Sequence, residues 1–185
     1  GKLLGPDDKP VRGAIGYGLY WNQTPNAESR RVDTLTGSSF EASTLDPLKT
    51  YTLSFVHKQR KLIGHAVVRG DAKGPLTVRL QRWGTLTGRL VDDAGKPLAG
   101  VRVGLKYPDL PEPGARPPDG EFHSDAEGRF RVEGLLPGLK HELALGSDGK
   151  RTVTPRTPDR LKDLSTAPGE VKDLGEVRVK VVPVK

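Results

Sequence analysis

Two stretches of this chain spell nearly the same phrase: "DKPVRGAIG" at residues 8–16 and "GKPLAGVRV" at residues 95–103. Setting Gly1 on Gly88 aligns Leu3 with Leu90, Lys9-Pro10 with Lys96-Pro97 and Gly13 with Gly100, a shift of 87. A second block follows at a shift of 90, pairing Phe40 with Phe130, Leu45 with Leu135, Pro47 with Pro137 and Leu53 with Leu143. Two blocks in one order mean one domain written twice. The period far exceeds that of a solenoid, so each copy must own a core. The boundary falls between Gln81 and Gly84, giving domains at 1–83 and 84–185. The first strand starts at Gly1, three residues short of the equivalent of Thr85, so the N-terminal strand of the first copy is expected to be trimmed.

The second copy carries the clearer pattern. Apolar residues alternate in "VRVGL" (Val101, Val103, Leu105), "FRV" (Phe130, Val132), "LAL" (Leu143, Leu145) and "VRVKV" (Val177, Val179, Val181), with many charged residues between them. Period two with polar partners predicts half-buried strands. Between them "DDAGKP", "SDAEG", "LLPG" and "SDGK" combine Gly with Asp or Pro, the residues of tight turns. Short strands at this spacing predict an all-β fold of two tandem antiparallel β-sandwiches with little or no helix. "PDRLKDL" at 158–164 is the one helix candidate. The run "PDLPEPGARPPDG" between Tyr107 and Glu121 holds five prolines. Residues 108–120 are therefore expected to form an exposed, mobile loop, because proline cannot donate to a strand ladder.

Composition narrows the chemistry. Cysteine is absent, so no disulfide, thiol nucleophile or cysteine-based zinc site is available. No apolar run reaches 18 residues, so no membrane span or membrane contact is expected. The chain lacks methionine even at position 1, so it reads as a piece of a longer protein. Of the net charge of +7, residues 1–84 hold +6, with 13 Lys/Arg against 7 Asp/Glu. Much of that excess sits in "HKQRK", where His57, Lys58, Arg60 and Lys61 form either a solvated hairpin tip or a polyanion contact. No aromatic residue interleaves with these charges, so nucleic acid is not an expected partner.

"GRLVDDAGKPLAGVRV", "SDAEGRFRVEGLLPG" and "HELAL" together resemble the carboxypeptidase regulatory-like domain, a transthyretin-like (prealbumin-like) β-sandwich of Ig-like type. "GKLLGPDDKPVRGA" and "SSFEASTLDPLKTYTL" match it more loosely. The tyrosine usual in that family after the Pro-Gly turn stands at Tyr51 but is His141 in the second copy. The resemblance implies an accessory module of a larger exported bacterial protein, extracellular, periplasmic or at the cell surface. Its implied partners are the flanking domains of the same polypeptide and protein or glycan at the cell surface. It implies no peptidase activity, since catalysis in such enzymes lies in a separate domain.

Catalytic constellations are not found. His57, His65, His123 and His141 form neither H-E-x-x-H nor H-x-x-E. Intradiol dioxygenases share the opening and turn patterns, but their H-x-H is missing, because Glu142 and Leu143 follow His141. G-x-S-x-G does not occur, and "GAIGYG" precedes no helix that could face a phosphate. Asp92-Asp93, Asp125 with Glu127, and Asp148 read as turn residues rather than calcium ligands. Asn22 and Asn26, in one loop, are not placed for an isopeptide crosslink. No catalytic, metal or cofactor-binding residue is assigned, and the expected function is a non-catalytic spacer or interaction module. The alternatives are a ligand- or carbohydrate-binding module and the dioxygenase-like enzyme.

One stretch strains the repeat. By the 87-residue shift, Val101, Val103 and Leu105 correspond to Ala14, Gly16 and Gly18, too small to fill a core, while Ile15, Tyr17, Leu19 and Trp21 occupy the other face. Either a slip or bulge turns the large residues inward, or Tyr17, Leu19, Tyr20 and Trp21 form a ligand-binding or interface patch.

Overall fold

The computed structural model describes residues 1–20, 32–111, 121–146 and 151–183. Trp21, Asn22, Asn26, Asp148 and most of the Pro-rich run lie outside these residues. The described chain is almost entirely strand and turn. It gathers into two compact units, one holding Gly1–Trp83 with Leu110 and Pro111, the other holding the remaining described residues. Among the described residues no helix is long and apolar enough to cross a membrane.

In the first unit, β2 (Ile15–Tyr17), β3 (Val32–Thr34), β4 (Thr50–His57), β5 (Leu62–Arg69) and β7 (Gln81–Arg82) form one sheet in the order β3-β2-β4-β5-β7. β1 (Lys2–Leu4) and β6 (Thr77–Arg79) make a second, parallel pair. Leu3, Val11, Phe40, Leu53, Phe55, Val78 and Leu80 are buried together, with Phe40 and Phe55 tilted at a centroid distance of 4.6 Å. Thr52 and Ser54 are buried too, on the opposite face of β4, where Thr52 Oγ1 donates to the Pro111 carbonyl at 3.5 Å.

In the second unit, β9 (Arg102–Lys106), β10 (Phe122–His123) and β12 (Glu142–Leu145) form the sheet β10-β9-β12. β8 (Gly84–Val91), β11 (Arg129–Leu135), β13 (Arg151–Pro155) and β14 (Val171–Pro183) form the sheet β11-β8-β14-β13. The alternating residues of the sequence close this core: Val101, Val103, Phe130, Val132, Leu143, Val177 and Val179 are buried, with Leu105, Leu145 and Val181 packed against them. Burying each large apolar side chain contributes about 1.5–3 kcal/mol. The helix candidate shortens to a 3-10 turn at Pro158–Leu161, whose first residue is the proline. β8 and β14 pair in parallel, as β1 and β6 do, a direction that alternation of side chains cannot reveal.

The sequence repeat recurs as a repeat of hydrogen bonds. The Gly5 N–H donates to the Lys9 carbonyl at 2.8 Å, and the Asp92 N–H to that of Lys96 at 2.9 Å. Val11 donates to Leu3 at 3.1 Å and Leu98 to Leu90 at 3.0 Å, while Gly13 donates to Leu35 and Gly100 to Ser124, both at 2.9 Å. Leu3 donates to Ser38 and Leu90 to Gly128, both at 2.7 Å. Each pair obeys the 87-residue shift at its donor.

Candidate functional site

A groove of about 680 Å³ lies over the β11-β8-β14 strands of the second unit. Its position follows from register. Arg129 of β11 stands directly opposite Arg89 of β8, and Arg89 stands opposite Glu176 of β14. Arg131 is opposite Thr87, and Thr87 opposite Asp173, so a ladder of polar side chains crosses three strands on one face. His123, at the end of β10, and Asp125, in the following turn, complete the lining.

Each acid of the groove has one oxygen engaged. Asp125 Oδ1 accepts the N–H groups of Glu127 at 3.0 Å and Arg129 at 2.7 Å, the self-bonded turn expected for Asp. Asp173 Oδ1 accepts Thr87 Oγ1 at 3.3 Å and the Gly175 N–H at 3.0 Å. Glu176 Oε1 accepts Arg89 Nη1 at 3.2 Å, while Arg89 Nε donates to the Glu127 carbonyl at 3.0 Å. Arg131 Nε donates to Glu133 Oε1 at 2.7 Å and keeps its other donors. The Arg129 guanidinium and the His123 ring have no partner among the described residues. The groove therefore presents the Arg129 guanidinium as an unengaged donor beside three carboxylates that each have one oxygen engaged, none of them with that guanidinium.

A second polar cluster is buried at the turn before β12. In the first unit the Tyr51 hydroxyl accepts the Asp46 N–H at 2.9 Å, a tyrosine corner that ties β4 to the loop before it. His141 stands at the equivalent place in the second unit and reaches no such N–H. Instead the Leu136 N–H, equivalent to that of Asp46, donates to the Tyr107 hydroxyl at 3.3 Å. Tyr107, just beyond β9, stacks edge-on against His141 with ring centroids 5.1 Å apart at 82°. His141 is fully buried with both ring nitrogens unpartnered. Burial, with the nearby Lys172 charge adding to it, pushes its pKa down to about 4. Burial also raises the Tyr107 hydroxyl well above its ordinary value.

The residues singled out in sequence fall elsewhere. Tyr17 and Leu19 are buried at 4% and 3% exposure, and Tyr20 is half-buried, bridging to Ser43. Ala14 and Gly16 do face the core. Gly18 takes φ +75°, a left-handed conformation that breaks the alternation, and Leu19 lies over Gly16, where a Cβ would be 2.6 Å from Leu19 Cδ1. The void left by glycine is filled by the leucine three residues on. The reading of Tyr17 and Leu19 as an exposed face thus meets two buried side chains. Trp21 lies outside the described residues.

His57, Lys58, Arg60 and Lys61 form the β4–β5 hairpin end, with the three cationic side chains exposed and His57 half-buried. The Arg60 N–H donates to His57 Nδ1 at 3.3 Å, and Lys61 donates through its N–H to Lys58. His57 is thereby used as a turn lock. Of the other histidines, His65 is half-buried with its pKa lowered by that burial, and His123 is exposed. Among the described residues no three His, Asp or Glu side chains gather as metal donors. The arginine ladder escaped the sequence reading because Arg89 and Arg129 are 40 residues apart. The signal available was the charge of "GRL" and "GRFRV" at the outward positions of two strands.

No protein-family model and no curated protein matches the sequence. Among solved structures, the chain is similar to the major pilin subunit of Bacillus cereus at 22% identity over 52% of this chain and 28% of that one, with a TM-score of 0.32. It is similar to the Bacillus anthracis TIE protein at 13% identity, covering 96% of this chain and 33% of the other with a TM-score of 0.39. The shaft pilin SpaA from Lactobacillus rhamnosus GG aligns at 10% identity over 100% of this chain and 97% of the pilin, with a TM-score of 0.37. The chain thus spans about a third or less of the first two. At these scores no residue and no role passes from those proteins to this one.

Proposed function

We propose that the chain is a non-catalytic structural module: two copies of one transthyretin-like, carboxypeptidase regulatory-like sandwich set in tandem as a spacer within a larger exported bacterial protein. The observation that carries this reading is the hydrogen-bond set whose donors repeat at a fixed offset, with a single residue, Trp83, between the last strand of one unit and the first of the next. A repeated unit with its own core in each copy is what a spacer module of a larger protein consists of. Its partners on this reading are the neighbouring domains of the same polypeptide, with protein or glycan at the cell surface. The burial of Tyr17 and Leu19 favours the core reading of that stretch over the ligand-binding module.

Residues 1–83 and 84–185, expressed separately, test this. Both should give cooperative thermal melts and dispersed proton NMR spectra, since the two buried clusters lie wholly within residues 1–83 and 84–185, the first fragment giving up only its contact with Leu110 and Pro111. A half that folds only in the presence of the other would contradict the proposal.

A further inference from the structure

We propose that the groove over β11-β8-β14 is a binding site for an oxyanion, a carboxylate or phosphate group displayed on an extended ligand. The first argument is the placement of Arg129 directly across from Arg89. Like charges in directly opposed cross-strand positions destabilise a sheet. The second is that the fold does not require this pair. The equivalent positions in the first unit are Lys2 and Ser39, which bridge in the same way with only one charge between them. The third is the pairing: the engaged oxygens of Asp125, Asp173 and Glu176 serve turn amides, Thr87, Gly175 and Arg89, so the Arg129 guanidinium is without a partner among the described residues and Arg131 has donors to spare. An oxyanion between Arg129 and Arg131 supplies acceptors to both guanidinium groups, which match carboxylate and phosphate in the same two-pronged geometry.

The test uses the whole 185-residue chain titrated separately with inorganic phosphate and with citrate, followed by NMR at the arginine Nε–Hε groups and at the Gly88 and Gly175 amides. Saturable shifts confined to the groove, with a dissociation constant on the order of millimolar or tighter, are expected. Saturation by phosphate alone identifies a phosphoryl ligand and saturation by citrate alone a carboxylate one. Arg129→Gln should weaken binding about tenfold, the scale of one charged hydrogen bond. Arg131→Gln should weaken it as well. At low ionic strength without anion, Arg129→Gln should also melt no lower than the parent, because it removes the like-charge pair. Linear shifts, shifts equal in steepness at Lys58, Arg60 and Lys61, or unchanged binding in both variants would overturn the site.

Discussion

Acidification from pH 7 to pH 5 should destabilise the second unit through one side chain, His141. The imidazole is fully buried, and neither ring nitrogen has a hydrogen-bond partner. Its charged form is therefore opposed by lost hydration and by the Lys172 ammonium, and its pKa falls from 6.5 to about 4. Of the other groups around it, Tyr107 stays neutral, and Lys140, next along the chain, is paired with Asp163 at 3.0 Å. The unfolded chain takes up a proton below pH 6.5 and the folded unit only near 4, so stability is intact above 6.5 and is lost as the pH falls between the two. At about 1.4 kcal/mol per unit of pKa difference the full loss is about 3 kcal/mol, of which about 2 kcal/mol is gone by pH 5. Urea denaturation of the chain and of His141→Phe at both pH values measures it. The parent should lose about 2 kcal/mol more than the variant. His65 shifts in the same direction but belongs to the first unit and is common to both proteins. Equal losses in parent and variant would refute the reasoning. A loss confined below pH 4 would instead implicate carboxylates such as Asp93, which its hydrogen bond to Arg156 holds below the usual range.

Tyr107→Phe removes the acceptor of the Leu136 N–H and should cost about 1–3 kcal/mol, while leaving the first unit, whose corner is Tyr51, unaffected in a two-transition melt. Ser124→Ala should cost a similar amount, since the buried hydroxyl donates to the Leu98 carbonyl at 2.6 Å and accepts the Val101 N–H at 3.0 Å. Leu19→Ala opens the space above Gly16 and should cost about 2–5 kcal/mol in chemical denaturation. Leu48→Ala, at a side chain 89% exposed, should stay within about 0.5 kcal/mol of the parent.

The strands were legible where apolar and charged residues alternate and where Asp, Gly and Pro close turns, as in the "DDAGKP" hairpin and the Asp125 turn. Four features were not, or only in part. The inward turn of Leu19 was one of two open readings of its stretch, and period two could not choose between them because the alternation breaks at the left-handed Gly18. Tyr107 replaces the corner tyrosine from the segment just after β9, so the missing contact of His141 read only as a departure from pattern. The arginine ladder depends on strand register between β8 and β11, which no local pattern encodes. β13, "RTVTP", lies at a sheet edge with a proline and a cation, which blurs its alternation.

Amide hydrogen exchange tests the central claim, that one scaffold is built twice, at single-residue resolution. Within each unit the amides of Leu3, Val11 and Gly13, and those of Leu90, Leu98 and Gly100, should rank among the slowest to exchange. The amides of Lys9 and Lys96 in the two hairpin turns should exchange fast. Matching protection at positions related by the 87-residue shift is the predicted result. Protection in one unit without its counterpart in the other would contradict the account.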